Sequence, residues 1–238
     1  MTPAPWADPA FLASSLLWVT VTLLAYAGAL WLYARMRGNP FFVPVATTAA
    51  LVMAALWLTR TPYRTYADAA MPLSFLVGPA TVALAVPLYA QMDRLRRIWR
   101  PLLVALFVGC SVALVAAIGV AWALGGSWQT LVSVAPKSAT MPIAMPMAER
   151  LGGLPALAAV AVVITGVVGT IVSHPLLRLL RVHDPAARGF AIGLTAHAIG
   201  MARELQVHPT SGGFAALAMG LNGILTAVLM PLALMLFR

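Results

Sequence analysis

Trp128 to Ala148 reads WQTLVSVAPKSATMPIAMPMA, and it contains Lys137, the only lysine in the chain. No other charged residue occurs between Pro101 and Ala148, and the stretch is apolar enough to lie in a membrane. A charged side chain at bilayer depth costs roughly 2.5–3.5 kcal/mol on insertion scales, so it is retained mainly where it faces a cavity, a partner or a ligand. The other reading is a shallow lysine snorkelling to the interface. Pro136 and Pro142 flank it, so the segment is not a plain lipid-facing helix. Ser133, Ser138 and Thr140 add hydroxyl donors, and either proline would open a half-helix whose free N–H groups and positive dipole end suit a carboxylate. The same prolines would also suit a kinked, packed helix whose hydroxyls bond to its own backbone.

Working outward, the 238 residues are 62% hydrophobic and 9% charged, with a mean hydropathy of +0.93, the composition of an integral membrane protein. Apolar runs cover residues 11–34, 41–59, 69–92, 101–126, 128–148, 151–177, 189–202 and 212–237. The expected fold is therefore an all-α polytopic bundle of about eight hydrophobic segments. Six would span as ordinary helices. The two around Lys137 and His197 are short or interrupted, rich in Gly, Pro, Ser, Thr and His, and are expected to be discontinuous or re-entrant, as in inverted-repeat carriers. A short tail, 1–10, precedes a single membrane domain, 11–238; MTPAPWADPA lacks the basic region of a cleaved signal peptide.

The net charge of +9 does not point to nucleic acid, because the arginines fall in short clusters between apolar runs. Arg35 and Arg37 follow the first run, and Arg94, Arg96, Arg97 and Arg100 follow the third, which predicts cytoplasmic loops and an outside N-terminus. Arg178, Arg181 and Arg188 form the next basic loop, and three full crossings would leave it on the wrong side. One segment is expected not to cross, with the Lys137 segment as a hairpin that enters and leaves one face. GPATVALAVPL at 78–88 loosely echoes NGILTAVLMPL at 222–232, as inverted repeats or chance similarity would produce.

His197, in AIGLTAHAIGMARE, lies between Gly193 and Gly200 at helical spacing from Arg203 and Glu204. The three read as a proton or charge relay, His197 titrating in the physiological range, or as an interior histidine followed by a solvated helix end. Asn222, flanked by Gly220 and Gly223, is a substrate contact or interhelical glue, and Thr81 beside Pro79 plays a similar part. The candidate substrate site is thus Lys137, Ser138, Thr140, His197, Asn222 and Thr81. His174, His183 and His208 have no ligand spacing, Cys110 stands alone, and no phosphate loop or Ser-His-Asp constellation occurs. Neither an enzyme nor a metal or other cofactor is expected.

Four stretches, YADAAMPLSFLVGPATVALAVPLYAQ (66–91), APKSATMPIAM (135–145), VHDPAARGFAIGLTAHAIGMARE (182–204) and GGFAALAMGLNGILTAVLMPL (212–232), resemble the signature segments of the LrgB/CidB membrane proteins in their order. The likeness runs from about Trp18 to the C-terminus. The chain departs from the family pattern at Ala139–Thr140, where a Thr-Thr pair is usual, and at Pro146, where Glu is usual, with Glu149 following. The resemblance implies two functions. Bacterial members are described as modulators of autolysis and murein hydrolase activity, working with a small holin-like partner of the LrgA/CidA type. A plastid relative exports glycolate and glycerate, and bacterial members are linked to small carboxylates such as pyruvate. A proton-coupled carboxylate transporter in the bacterial inner membrane, as a homo-oligomer, is the expectation; an antiholin-like regulator is the alternative.

Overall fold

The computed structural model describes residues 14–36, 39, 42–83, 86 and 89–236, without the side chains of 77, 80 and 81. The tail 1–10 lies outside them. Every regular element among the described residues is helical, and the chain divides into two compact units, Met1–Ala83 and Leu84–Arg238.

In the first unit, α1 (Ser15–Arg35), α2 (Pro44–Thr59), α3 (Tyr63–Ala69) and α4 (Met71–Ala83) follow one another. Pro44 at the first turn starts α2, and Arg60 in the left-handed conformation (φ 53°) stops it after 16 residues. Trp18 is almost fully buried and meets Tyr66 edge to face at 5.5 Å, fastening α3 to α1.

The second unit contains α5 (Met92–Ala123), α6 (Trp128–Val134), α7 (Met141–Arg150), α8 (Pro155–Leu179), α9 (Pro185–Val207) and α10 (Pro209–Met235). Among the described residues, α1, α5, α8 and α10 are the four helices long and apolar enough to cross a membrane. The sequence suggested six. The run at 41–59 yields the 16-residue α2, and the run at 69–92 lies partly outside the described residues. Apolar side chains stay exposed along these helices, including Leu16, Phe107, Ile164 and Leu232, which suits lipid rather than water.

Two segments of this unit double back. α6 and α7 form the first hairpin. Its base is closed by Ser133, whose hydroxyl donates to the Gln129 carbonyl (2.6 Å) and accepts from the Leu154 N–H (2.7 Å). Trp128 and Leu151, at the two outer ends, share a small cavity with Pro231, Leu234 and Met235 at the end of α10. Its turn reaches the middle of α10, where Asn222 donates to the Ser138 carbonyl at 2.9 Å.

α9 is the second hairpin, entering from the opposite end. His197 has φ 39° and ψ −131°, outside any helical region. A methyl group on Gly200 would lie 3.3 Å from the Ile192 carbonyl oxygen, although residues eight apart in a straight helix are separated by about 12 Å. The His174 ring touches both Arg188 and Glu204, which a straight helix would hold about 24 Å apart. The rising arm, 185–196, runs beside the start of α10, so closely that a Cβ at Gly189 would collide with the Ser211 carbonyl and one at Gly193 with that of Ala215. The falling arm, 198–207, returns to His208, where α10 begins.

Arg94 contacts Asp184, so the basic start of α5 and the basic segment between α8 and α9 lie at the same end of this unit. α5 and α10 run away from that end and α8 runs toward it.

Candidate functional site

Asn222 is the middle residue of α10 and is fully buried. Its side-chain nitrogen reaches the Ser138 carbonyl at the first hairpin's turn (2.9 Å) and the Leu194 carbonyl in the rising arm of the second (3.3 Å). Both amide hydrogens are thereby used on backbone oxygens that the two chain reversals leave outside a helical ladder. Its Oδ1 is a buried acceptor without a protein donor. Leaving such an atom unpaired costs on the order of 1–3 kcal/mol, so it is a position for a ligand donor or a water.

Lys137 is half-buried beside this junction, and its Nζ lies 3.3 Å from the Ser138 hydroxyl. Thr140 occupies the N-cap position of α7, and Pro142 follows in its first turn. Thr140 does not cap through its side chain; its carbonyl instead accepts from the N–H groups of Ile143 and Ala144. The positive ends of two helical pieces, α7 and the falling arm of α9, start at the two turns, next to the ammonium.

His197 is 2% exposed, and its Nε2 is 2.9 Å from the Val162 carbonyl. A carbonyl only accepts, so Nε2 carries the hydrogen and Nδ1 of the neutral ring keeps a lone pair. The ring fits because residue 166 is glycine: a Cβ there would lie 2.6 Å from the imidazole Cε1. A positive φ at a bulky residue costs of order 1–3 kcal/mol, which the packing around this ring must offset. Lys137 and His197 are close enough to interact electrostatically.

Lys137, Ser138, His197 and Asn222 are thus brought together, with Thr140 at the edge of the group. Arg203 and Glu204 are not joined to it. The reversal at His197 carries them to the other end of the arm, where neither is solvated: Arg203 is 8% and Glu204 1% exposed. Arg203 donates to the Thr170 carbonyl at 3.1 Å. Glu204 accepts from Ser211, and its other oxygen is 2.8 Å from His174 Nε2. His174, Arg188 and Ser211 were not singled out from the sequence as functional residues, since four separate segments supply this cluster and no local spacing announces it. The side chain of Thr81 lies outside the described ones.

Residues 22–236 match the LrgB-like family. The chain belongs to that family. Proteins named antiholin-like protein LrgB from Bacillus mycoides (strain KBAB4) and Bacillus cereus (strain B4264) are each 31% identical to it over 214 residues, covering 90% of this chain and 93% of theirs. No solved structure matches. Membership in this family and four apolar helices of spanning length make the chain a multi-helix membrane protein.

Proposed function

We propose that this LrgB-like protein is a carrier of small carboxylates in the bacterial plasma membrane, and not a catalyst. The observation that supports it best is the meeting of two oppositely directed hairpins at Asn222, with Lys137 at the junction. In a bilayer the hairpins would be re-entrant, one from each face, a use of broken helices that is tolerated where backbone is buried in protein. α5 with the first hairpin and α8 with the second run in opposite directions, as an inverted repeat would. By the positive-inside rule the Arg94 end faces the cytoplasm.

In this reading Lys137 and the two helix starts hold the carboxylate. An ammonium and a carboxylate 4 Å apart attract by about 4 kcal/mol at an effective dielectric constant of 20. The open acceptor of Asn222 favours a substrate that carries a hydroxyl beside the carboxylate, so glycolate, glycerate and lactate are expected to bind better than pyruvate. His197 lines the site through its free Nδ1. Homo-oligomeric assembly is part of the same proposal.

The names of the bacillar relatives favour a second reading, regulation of autolysis with a holin-like partner of the LrgA/CidA type. A carboxylate flux could act upstream of such control. Uptake of labelled glycolate, glycerate, lactate and pyruvate into proteoliposomes decides between them. Saturable uptake that is lost in Lys137→Met supports the carrier. Absence of uptake from folded, inserted protein, with uptake or regulation restored by a small membrane partner, supports the antiholin-like reading.

A further inference from the structure

The buried cluster at the base of the second hairpin has a different chemistry from the central junction. Arg188 donates to His174 Nδ1 at 3.1 Å; arginine has no acceptor, so this nitrogen carries the lone pair. The neutral imidazole then bears its hydrogen on Nε2, which lies 2.8 Å from Glu204 Oε1 in close contact but not aligned for a hydrogen bond, while Glu204 Oε2 accepts from the Ser211 hydroxyl. One carboxylate and one ring therefore tie together α8, the rising arm of α9, its falling arm and the start of α10. Of the other charged and titratable groups at this end, Arg178, Arg181 and His183 are exposed, and Arg203 keeps a buried Nε without a hydrogen-bond partner. Arg203 is held by the Thr170 carbonyl, Arg94 pairs with Asp184, and His208 accepts from the Thr210 N–H. The first hairpin is closed by contrast through the Ser133 hydroxyl, without a titratable group in that contact.

We propose that the Arg188–His174–Glu204–Ser211 cluster is a proton-operated latch: the second hairpin opens when Glu204 takes up a proton. Separating the arms strips Glu204 of the Ser211 hydroxyl donor and of the imidazole edge beside Oε1 while its surroundings remain largely apolar. A carboxylate without donors in such a place is far more costly than the neutral acid. Opening therefore converts Glu204 from carboxylate to carboxylic acid, with the proton drawn from water reaching that end, and closing releases it. The positive φ at His197 opposes the closed state, so the latch works against strain at the turn. That the latch serves as the coupling step of anion movement rests on the carrier reading; the latch itself does not.

The test reads opening directly. In a Cys110→Ala background, which removes the chain's single cysteine, Met201→Cys places a thiol on the falling arm at a site 9% exposed. Its labelling rate in proteoliposomes is measured across pH, with and without Glu204→Gln, so that the ratio cancels the thiol's own pH dependence. One proton per opening predicts a ratio that rises about tenfold for each unit of acidification until the two rates meet. Ser211→Ala, which removes one donor and leaves the carboxylate, should raise labelling several-fold and keep the pH response. A ratio independent of pH, or Ser211→Ala without effect, overturns the latch. Anion uptake measured on the same vesicles separates the two proposals. Uptake with a flat labelling ratio sinks the latch alone, and a pH-dependent ratio without uptake of any tested anion sinks the carrier reading alone.

Discussion

The two hairpins reach Asn222 from opposite ends, but they turn by different means. The first reverses over residues 135–140, and its lysine is half-buried with a single hydroxyl neighbour at 3.3 Å. The second reverses at one buried histidine with a positive φ, and its rising arm is seated on α10 through glycines that leave no room for a Cβ. The difference teaches that one tip holds unspent binding capacity and the other holds a shape. Substitutions should separate the two, since damage to the second hairpin ought to appear as lost stability and damage to the first as lost binding.

The largest effect is expected at the seat of the second hairpin. Gly193→Val would drive a branched side chain into the Ala215 backbone, which cannot rotate away. Overpacking typically costs about 1–3 kcal/mol, and a backbone obstacle places this site at or above the upper end. Thermal unfolding in detergent should show a large drop or no folded protein. Gly220→Ala, on the same α10 but facing open space, should be neutral or gain up to about 1 kcal/mol from helix propensity. Equal stability of the two variants would refute the seated-arm account.

Lys137→Met should behave in the opposite way. Loss of the ammonium removes one weak side-chain contact, so the unfolding midpoint should hardly move. Hydrogen bonds to charged groups are worth about 1.5–3 kcal/mol, which corresponds to a roughly 10- to 100-fold loss of anion uptake. A Lys137→Met protein that unfolds early would make the lysine structural and erase the contrast between the tips.

His197 gives a finer test, because its ring and its backbone make opposite demands. His197→Ala and His197→Gly both lose the Nε2–H bond to Val162 and leave the space that Gly166 provides. Only glycine also relieves the positive φ, so His197→Gly should be the more stable of the pair by about 1 kcal/mol in denaturant titration. The reverse order would mean that the turn is not strained.

What the sequence revealed follows from how local each feature is. Lys137 stood out because a lone cation among apolar residues is costly wherever it sits, and the prolines around it mark an interruption that the structure places at the turn between α6 and α7. Asn222 was visible as a polar residue between two glycines. The doubling back of α9 was not. Helical spacing suggested that His197, Arg203 and Glu204 share a relay, whereas one residue's φ and ψ turn the chain and separate them. The seats that allow the turn, Gly166 for the ring and the α10 backbone for the rising arm, are remote in sequence from His197. The Glu204 cluster was hidden for the same reason, since residues 174, 188, 204 and 211 meet only after two helices and a hairpin have packed.

The smallest expected effect concerns Asp184, at the entrance to the second hairpin. It is the N-cap of α9, accepting from the Ala187 N–H at 2.9 Å, and it pairs with Arg94 at the exposed surface. The Ala187 N–H above all holds its carboxyl below the usual aspartate range, against the opposing effect of burial and with further help from Arg94. A carboxyl whose folded-state pKa is depressed contributes stability in full above its unfolded value, near 3.9, and loses it as the pH falls through the lower folded value. Between pH 5 and 8 this group should therefore leave stability unchanged, and any pH response of the hairpin in that range must come from elsewhere, with Glu204 as the group that faces both arms. Asp184→Ala should cost about 1 kcal/mol, mostly from the lost cap, because a solvent-exposed ion pair adds little. The checking measurement is the unfolding midpoint of the Asp184→Ala protein against the parent at pH 7 and near pH 3. The gap should narrow in acid, and a gap that widens there would show that Asp184 stabilises the entrance as the neutral acid.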